Sequence, residues 1–115
     1  MGLNYNISGA GETLVFVHGA FINSEIWMHQ KSEFAKDYQV ITIDLPSHGK
    51  SSPQVTEEYH VEDFSHTVIE LLDKLSIKEF TIIGLSLGAM IAQCIASKLP
   101  YRTKGIVLVG SSASM

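Results

Sequence analysis

Gly84-Leu85-Ser86-Leu87-Gly88 sets a single hydroxyl between two glycines, a G-x-S-x-G. The chemistry such a serine can do is nucleophilic attack on a carbonyl carbon, provided the chain holds it clear of its neighbours. A bare G-x-S-x-G is a weak signal, because glycine and serine are common and any loop can carry them. The flanks sharpen it. Thr81 to Ile83 is a β-branched apolar run that reads as a buried strand ending at the first glycine. Leu87, Met90, Ile91, Cys94 and Ile95 are apolar at helical spacing from the second. Strand, tight turn and helix together predict a nucleophile elbow, with Ser86 in a strained turn. Gly84 and Gly88 then remove the Cβ atoms that would clash as strand and helix converge. The helix dipole and the free N–H of Leu87 favour negative charge beside the hydroxyl. The competing reading, an ordinary β–α turn with a solvent-facing serine, accounts for the motif but not for its flanks.

A serine hydroxyl needs a base within hydrogen-bond reach. The five histidines are His18, His29, His48, His60 and His66. His29, His60 and His66 fall on or near helices, at positions expected to be solvated. His48 lies in a breaker-rich loop and is the only conceivable local base. No His/Cys/Asp/Glu cluster has metal-ligand spacing, and neither a P-loop nor a G-x-G-x-x-G occurs, so no cofactor and no metal is expected. Cys94 is the single cysteine, which rules out a disulfide framework, and it reads as a small core residue.

The elements that must position Ser86 follow from the apolar runs. Leu3 to Ser8 alternates like a short edge strand, and Thr13 to His18 is a continuous run expected to be buried on both faces. Ser24 is a candidate N-cap for a helix through about Lys36, with Trp27 anchoring it to the sheet. Tyr38 to Asp44 is the next strand, and Leu45 to Pro53 the breaker-rich loop. Val61, Phe64, Val68, Leu71, Leu72 and Leu75 recur as one face of an amphipathic helix. After the elbow strand and helix, stopped by Pro100, Gly105 to Gly110 reads as a fourth buried strand. Strands alternating with helices through short loops predict an α/β fold, a mostly parallel sheet of about five strands with helices on both faces. Chemistry in such sheets gathers beyond the carboxyl ends of the strands, where His18-Gly19-Ala20, Asp44, Ser86 and Ser111 all fall.

Composition sets the outer limits. The 115 residues make one domain at most, with a core that buries roughly two-thirds of the unfolded surface. A formal net charge of −4 without a basic run argues against nucleic acid and against a membrane surface. No apolar run approaches spanning length, and Met1 to Asn6 lacks the features of a signal peptide. A cytoplasmic location is the default expectation.

With these residues in view, the chain resembles the N-terminal part of an α/β-hydrolase fold protein, of the cap-bearing esterase, lactonase and haloperoxidase-like type. The resemblance runs from about Tyr5 to Ser112. It rests on His18-Gly19-Ala20-Phe21 with Trp27 downstream, on Asp44-Leu-Pro-Ser-His-Gly49-Lys-Ser51, and on Gly84-Leu-Ser-Leu-Gly88. It implies that Ser86 is the nucleophile and that the backbone N–H groups of Ala20 and Leu87 form the oxyanion hole. Phe21 becomes the donor if the loop register differs by one, and it borders the substrate. His18 and the Asp44 to Ser51 loop are structural in the family, and His48 is not known there to approach the nucleophile.

The resemblance further implies a strand order of Leu3–Ser8, Tyr38–Asp44, Thr13–His18, Phe80–Leu85 and Lys104–Gly110, with only the first antiparallel. The family's catalytic acid and histidine follow later strands, which residues 1–115 do not contain. The implied function is a serine hydrolase acting on a small ester, lactone or related acyl compound, inactive as this isolated chain. A serine nucleophile counts against dehalogenase or epoxide hydrolase chemistry, which uses Asp in this fold. The alternative is a catalytically inert half-domain that folds and self-associates. The expected partners are a small acyl substrate and either a second copy, through the open edge at Ile106 to Val109, or a missing C-terminal half.

Overall fold

The computed structural model describes residues 3–19, 23–45 and 60–110. The elements run β1 (Tyr5–Ser8), β2 (Thr13–Val17), a 3-10 turn (Ser24–Trp27), α1 (Met28–Phe34), β3 (Gln39–Ile43), α2 (Val61–Lys74), β4 (Phe80–Leu85), α3 (Leu87–Lys98) and β5 (Thr103–Val109). Val15 of β2 lies opposite Ile41 of β3 on one side and Ile82 of β4 on the other. The most apolar run is therefore the centre of the sheet, whose order is β1-β3-β2-β4-β5. Only β1 runs antiparallel. Order and direction both match those expected from the resemblance.

The period-2 alternation of the strands divides the core. Val15, Val17, Ile41, Ile43 and Ile82 point to the face covered by α2 and α3, where they meet Phe64, Val68, Leu71, Leu72, Ile91 and Ile95. Phe16, Val40 and Ile83 point to the other face and pack with Trp27. The Trp27 ring lies 4.9 Å from that of Phe16, so it does fasten its helix to the sheet. The helix cap sits one residue earlier than the sequence reading put it. Asn23, not Ser24, is the N-cap, its side-chain oxygen accepting from the Glu25 N–H at 2.9 Å. The first turn is a 3-10 turn, and α1 ends at Phe34 rather than near Lys36.

The reading of 105–110 as a buried strand needs correction. Ile106, Val107, Leu108 and Val109 are 40%, 47%, 40% and 41% exposed. An apolar run shows that a strand tolerates cover on both faces, but the cover itself must come from other chain. Here α3 packs against β5, and over the opposite face there is an open apolar groove of about 370 Å³. Leu14, Phe16, Trp27, Ile83, Val107 and Val109 are among the residues that line it. Cys94 on α3 is half-buried rather than a core residue.

Candidate active site

Parallel strands bring their carboxyl ends to one rim, and the register sets which residues meet there. Val17 lies opposite Ile43 and opposite Gly84, while Leu85 lies opposite Val109. His18, Asp44 and Ser86 thus emerge along one edge, with neighbouring strands about 4.8 Å apart. Three of the residues marked from the sequence are brought together in this way. Ala20, Phe21, His48 and Ser111 lie outside the described residues.

Ser86 sits between the end of β4 and the start of α3 and is exposed. Its backbone has φ 55° and ψ −112°, a conformation L-residues rarely adopt. Holding a non-glycine residue there costs about 1–3 kcal/mol, so the surroundings must over-determine it. Ser86 N–H donates to the Val109 carbonyl at 3.1 Å, and the Ser86 carbonyl accepts from Ala89 N–H at 2.8 Å. The glycines do the rest by having no side chain. A Cβ on Gly84 would run into the backbone of Gly88 and Ala89, where α3 crosses the end of β4. A Cβ on Gly88 would run into the Val17 and His18 carbonyls. The first of these is the strand–helix convergence expected from the motif. The second clears the neighbouring strand β2, a contact that the spacing of the motif does not reveal.

The electrostatic setting favours an anion beside Ser86. Leu87 is the first residue of α3, one of the first-turn N–H groups for which an α-helix has no internal acceptor. The first turn of α3 contains no acidic residue, whereas that of α2 contains Glu62 and Asp63. The positive end of the α3 dipole is therefore left for a ligand, and that of α2 is offset by its own carboxylates.

Two buried polar residues on the rim are built into the scaffold. Asp44 is 3% exposed, and its carboxylate accepts from the Ser24 N–H at 2.7 Å and from the Asn4 side-chain amide at 2.8 Å. It ties the end of β3 to the residue before β1 and to the 3-10 turn. His18 is 0% exposed. Its Nε2 lies 3.0 Å from the Leu45 N–H, which can only donate, so Nε2 is the acceptor. The ring proton of the neutral imidazole then belongs on Nδ1, which donates to the Gly19 carbonyl at 2.7 Å. Both ring nitrogens are engaged in the scaffold, in keeping with a structural role. No pattern in the sequence announces the bond to Leu45, because it spans two strand ends.

A base for Ser86 does not emerge from the described residues. None of them hydrogen-bonds to the Ser86 hydroxyl. His29, His60 and His66 are exposed, as their positions on and near helices predict. Among the described residues, no group of three or more His, Cys, Asp or Glu could hold a metal ion, and no helix is long and apolar enough to cross a membrane.

The chain is similar in sequence and fold to known proteins. 3-Oxoadipate enol-lactonase 2 of Acinetobacter baylyi is 31% identical over 117 residues, which take in 100% of this chain and 43% of that protein. A thermophilic esterase from Thermogutta terrifontis superposes with a TM-score of 0.92 at 26% identity, covering 96% of this chain and 41% of that one. An epoxide hydrolase from Bacillus megaterium superposes with a TM-score of 0.87 at 26% identity, over 95% and 39%. The chain thus spans about two-fifths of the length of the proteins it matches. The family profile for the alpha/beta hydrolase fold matches residues 12–115, from the start of β2 through the elbow and β5, and the chain belongs to that family.

Proposed function

We propose that Ser86 is the nucleophile of a serine hydrolase that acts on a small ester, lactone or related acyl compound. The observation that carries this is the strained backbone of Ser86, φ 55° and ψ −112°, held on a strand-to-helix turn between two glycines whose Cβ positions are filled by backbone. Strain kept this expensively at an exposed hydroxyl is the mark of a functional turn rather than a connecting one. The enol-lactonase and the esterase among the similar proteins favour acyl chemistry. The epoxide hydrolase is a reminder that the fold alone does not choose the reaction.

In this reading a base takes the Ser86 proton as Oγ bonds to the carbonyl carbon. The carbonyl oxygen becomes an oxyanion, stabilised by the N–H groups of Leu87 and Ala20, with Phe21 bordering the substrate. Collapse expels the alcohol or enolate, which takes up the proton, and water then releases the acid from the acyl-enzyme. The resemblance puts the base, and the acid that orients it, after later strands, and none of the described residues hydrogen-bonds to the Ser86 hydroxyl in their stead. This chain on its own is therefore a poor catalyst.

The test is labelling with a fluorophosphonate, read by intact mass. Slow modification of residues 1–115 that disappears in Ser86→Ala supports the assignment. Equal labelling of the wild type and Ser86→Ala would refute it.

A second reading, an inert half-domain that self-associates, is favoured by a different observation. The groove over β4 and β5 is apolar and open, and the buried Trp27 Nε1 beside it has no hydrogen-bond partner among the described residues. Labelling at Ser86 separates the two readings, since an inert chain has no reason to keep a reactive hydroxyl.

A further inference from the structure

Gly110 carries an inference that deepens the proposed function and rests on it. We infer that Gly110 is a positioning residue for the nucleophile: it holds the Val109 carbonyl against the Ser86 N–H and so keeps Ser86 in its strained, reactive conformation. Ser86 is anchored on both sides of the strain. Its N–H donates to the Val109 carbonyl at 3.1 Å, and its carbonyl accepts from Ala89 N–H at 2.8 Å and from Met90 N–H at 3.3 Å. The torsions φ 55° and ψ −112° lie between these two anchors. The peptide groups themselves are planar, so φ and ψ are the only soft rotations there, and the strain relaxes only if one anchor lets go.

The two anchors are unequal. The one on α3 consists of two hydrogen bonds at the start of a 12-residue helix. The one on β5 is a single hydrogen bond, which extends the pairing of Leu85 with Val109 by one residue. It lies at the end of the outermost of the five described strands, where Val109 is exposed. A strand end with little packing behind it opens more readily than the first turn of a packed helix. The grip on Ser86 therefore yields first at β5.

Gly110 is the residue that secures this weaker anchor. The peptide group that carries the Val109 oxygen turns about Val109 ψ and Gly110 φ, and Gly110 has φ 64°. Glycine adopts that value freely, whereas most other residues resist it. A residue that resists it relaxes by rotating the peptide, which swings the oxygen off the Ser86 N–H. Bulk is a lesser constraint, since a Cβ at Gly110 would lie 3.3 Å from Leu85 Cδ1, the tip of a flexible side chain. Once released, Ser86 returns to an ordinary φ, and its hydroxyl leaves the place from which it attacks.

The experiment uses residues 1–115 and two substitutions that put the same Cβ at position 110. Alanine resists positive φ, and asparagine tolerates it. In the wild type, the NMR coupling across the hydrogen bond, from the Ser86 nitrogen to the Val109 carbonyl carbon, should be detectable. The Ser86 N–H should also be protected from deuterium exchange. In Gly110→Ala both are expected to be lost, and fluorophosphonate labelling of Ser86 should slow by roughly tenfold or more, toward the hundredfold or so that a misplacement of about 1 Å can cost. Gly110→Asn should recover all three. Gly105→Ala, on the same strand but opposite Thr81, should change none of them.

A missing coupling or an unprotected Ser86 N–H in the wild type overturns the inference. So does a folded Gly110→Ala that labels at the wild-type rate. An asparagine variant that labels as slowly as the alanine variant overturns it too, because the effect would then be one of bulk. Should Gly110→Ala fail to fold, the wild-type coupling and exchange still decide, together with the coupling in Gly110→Asn. Failure of the nucleophile assignment looks different, because Ser86 labelling is then absent from the wild type while the coupling still responds to Gly110.

Discussion

Val17 lies directly opposite Gly84 across β2 and β4, so His18 and Ser86 leave the sheet side by side. The relationship is tightened from above, where the Val17 carbonyl occupies the space a Cβ would need at Gly88. Strand β2, the turn of β4 and the first turn of α3 thus form one rigid unit, and a change at either glycine is felt at the nucleophile.

Gly84→Ala and Gly88→Ala are each expected to destabilise residues 1–115 by about 1–3 kcal/mol or more, because a methyl group meets backbone that has no rotamer to move to. Gly105→Ala is the control. Its Cβ would lie 3.4 Å from the Thr81 side chain, an ordinary contact, and a change within about 0.5 kcal/mol is expected there. Urea unfolding midpoints at constant m-value check this. Equal effects at all three positions would remove the basis for treating the elbow as close-packed.

Ser86→Gly should raise stability by about 1 kcal/mol, since glycine adopts φ 55° without the Cβ penalty. Ser86→Ala keeps that penalty and should leave the midpoint close to the wild type. Both variants lose fluorophosphonate labelling. A gain in stability together with a loss of chemistry is what a strained functional turn predicts. A glycine variant less stable than the alanine variant would mean the turn is not strained in solution.

Much of this is legible in the residues themselves, and most of the exceptions share a cause. The apolar runs, the periodicity of Val61 to Leu75 and the G-x-S-x-G depend on neighbours in the chain, and each became the expected element. The strand order was implied by the resemblance and agrees with the register, from Tyr5 opposite Ile43 to Leu85 opposite Val109. Most of the features that are not legible depend on contacts across the sheet. The bond from Leu45 N–H to His18 Nε2 spans 27 residues, and the partners of the Gly88 gap lie on β2. The exposure of Ile106 to Val109 depends on what lies against them, which a run of apolar residues cannot specify. At Asn23 and Ser24, two adjacent cap-forming residues compete, and the sequence reading chose the second.

The open face of β4 and β5 should drive self-association of residues 1–115. Val107, 47% exposed, and Val109, 41% exposed, both line the groove beside Trp27, the only tryptophan in the chain. Light scattering at micromolar concentration is expected to give a dimer, with Trp27 emission shifting to the blue as it forms. Val107→Asp should return the mass to that of a monomer and abolish the shift. A monodisperse wild-type monomer would contradict this.

The surface ion pairs should matter little. Lys98 Nζ lies 3.0 Å from a Glu62 carboxylate oxygen, joining α3 to α2. The hydrogen bond to Glu62, and then its charge, raise the Lys98 pKa above its ordinary value of 10.5. A raised folded-state value adds stability that is fully present at neutral pH and is lost as pH climbs through the lysine range. The pair is exposed to solvent and screened by salt, so Glu62→Gln should leave the unfolding midpoint at pH 7 unchanged within error. A large drop would show that the pair holds the two helices together.

Catalysis should be divided between this chain and polypeptide outside it. Residues 1–115 contain the proposed nucleophile and donors, and none of the described residues touches the Ser86 hydroxyl with a base. Purified 1–115 is therefore expected to hydrolyse a p-nitrophenyl ester barely above background, because loss of the base leaves only the residual effect of binding and the oxyanion donors. Supplying the remaining part of an alpha/beta hydrolase, as a second chain or by extending the reading frame, should restore turnover and fast labelling together. In that restored protein Ser86→Ala should abolish both, whereas His48→Ala should keep most of the activity, since the resemblance implies no catalytic role for His48. Robust turnover by 1–115 alone that vanishes in His48→Ala would mean that the chain has recruited its own base, and the division of labour between the two parts would have to be abandoned.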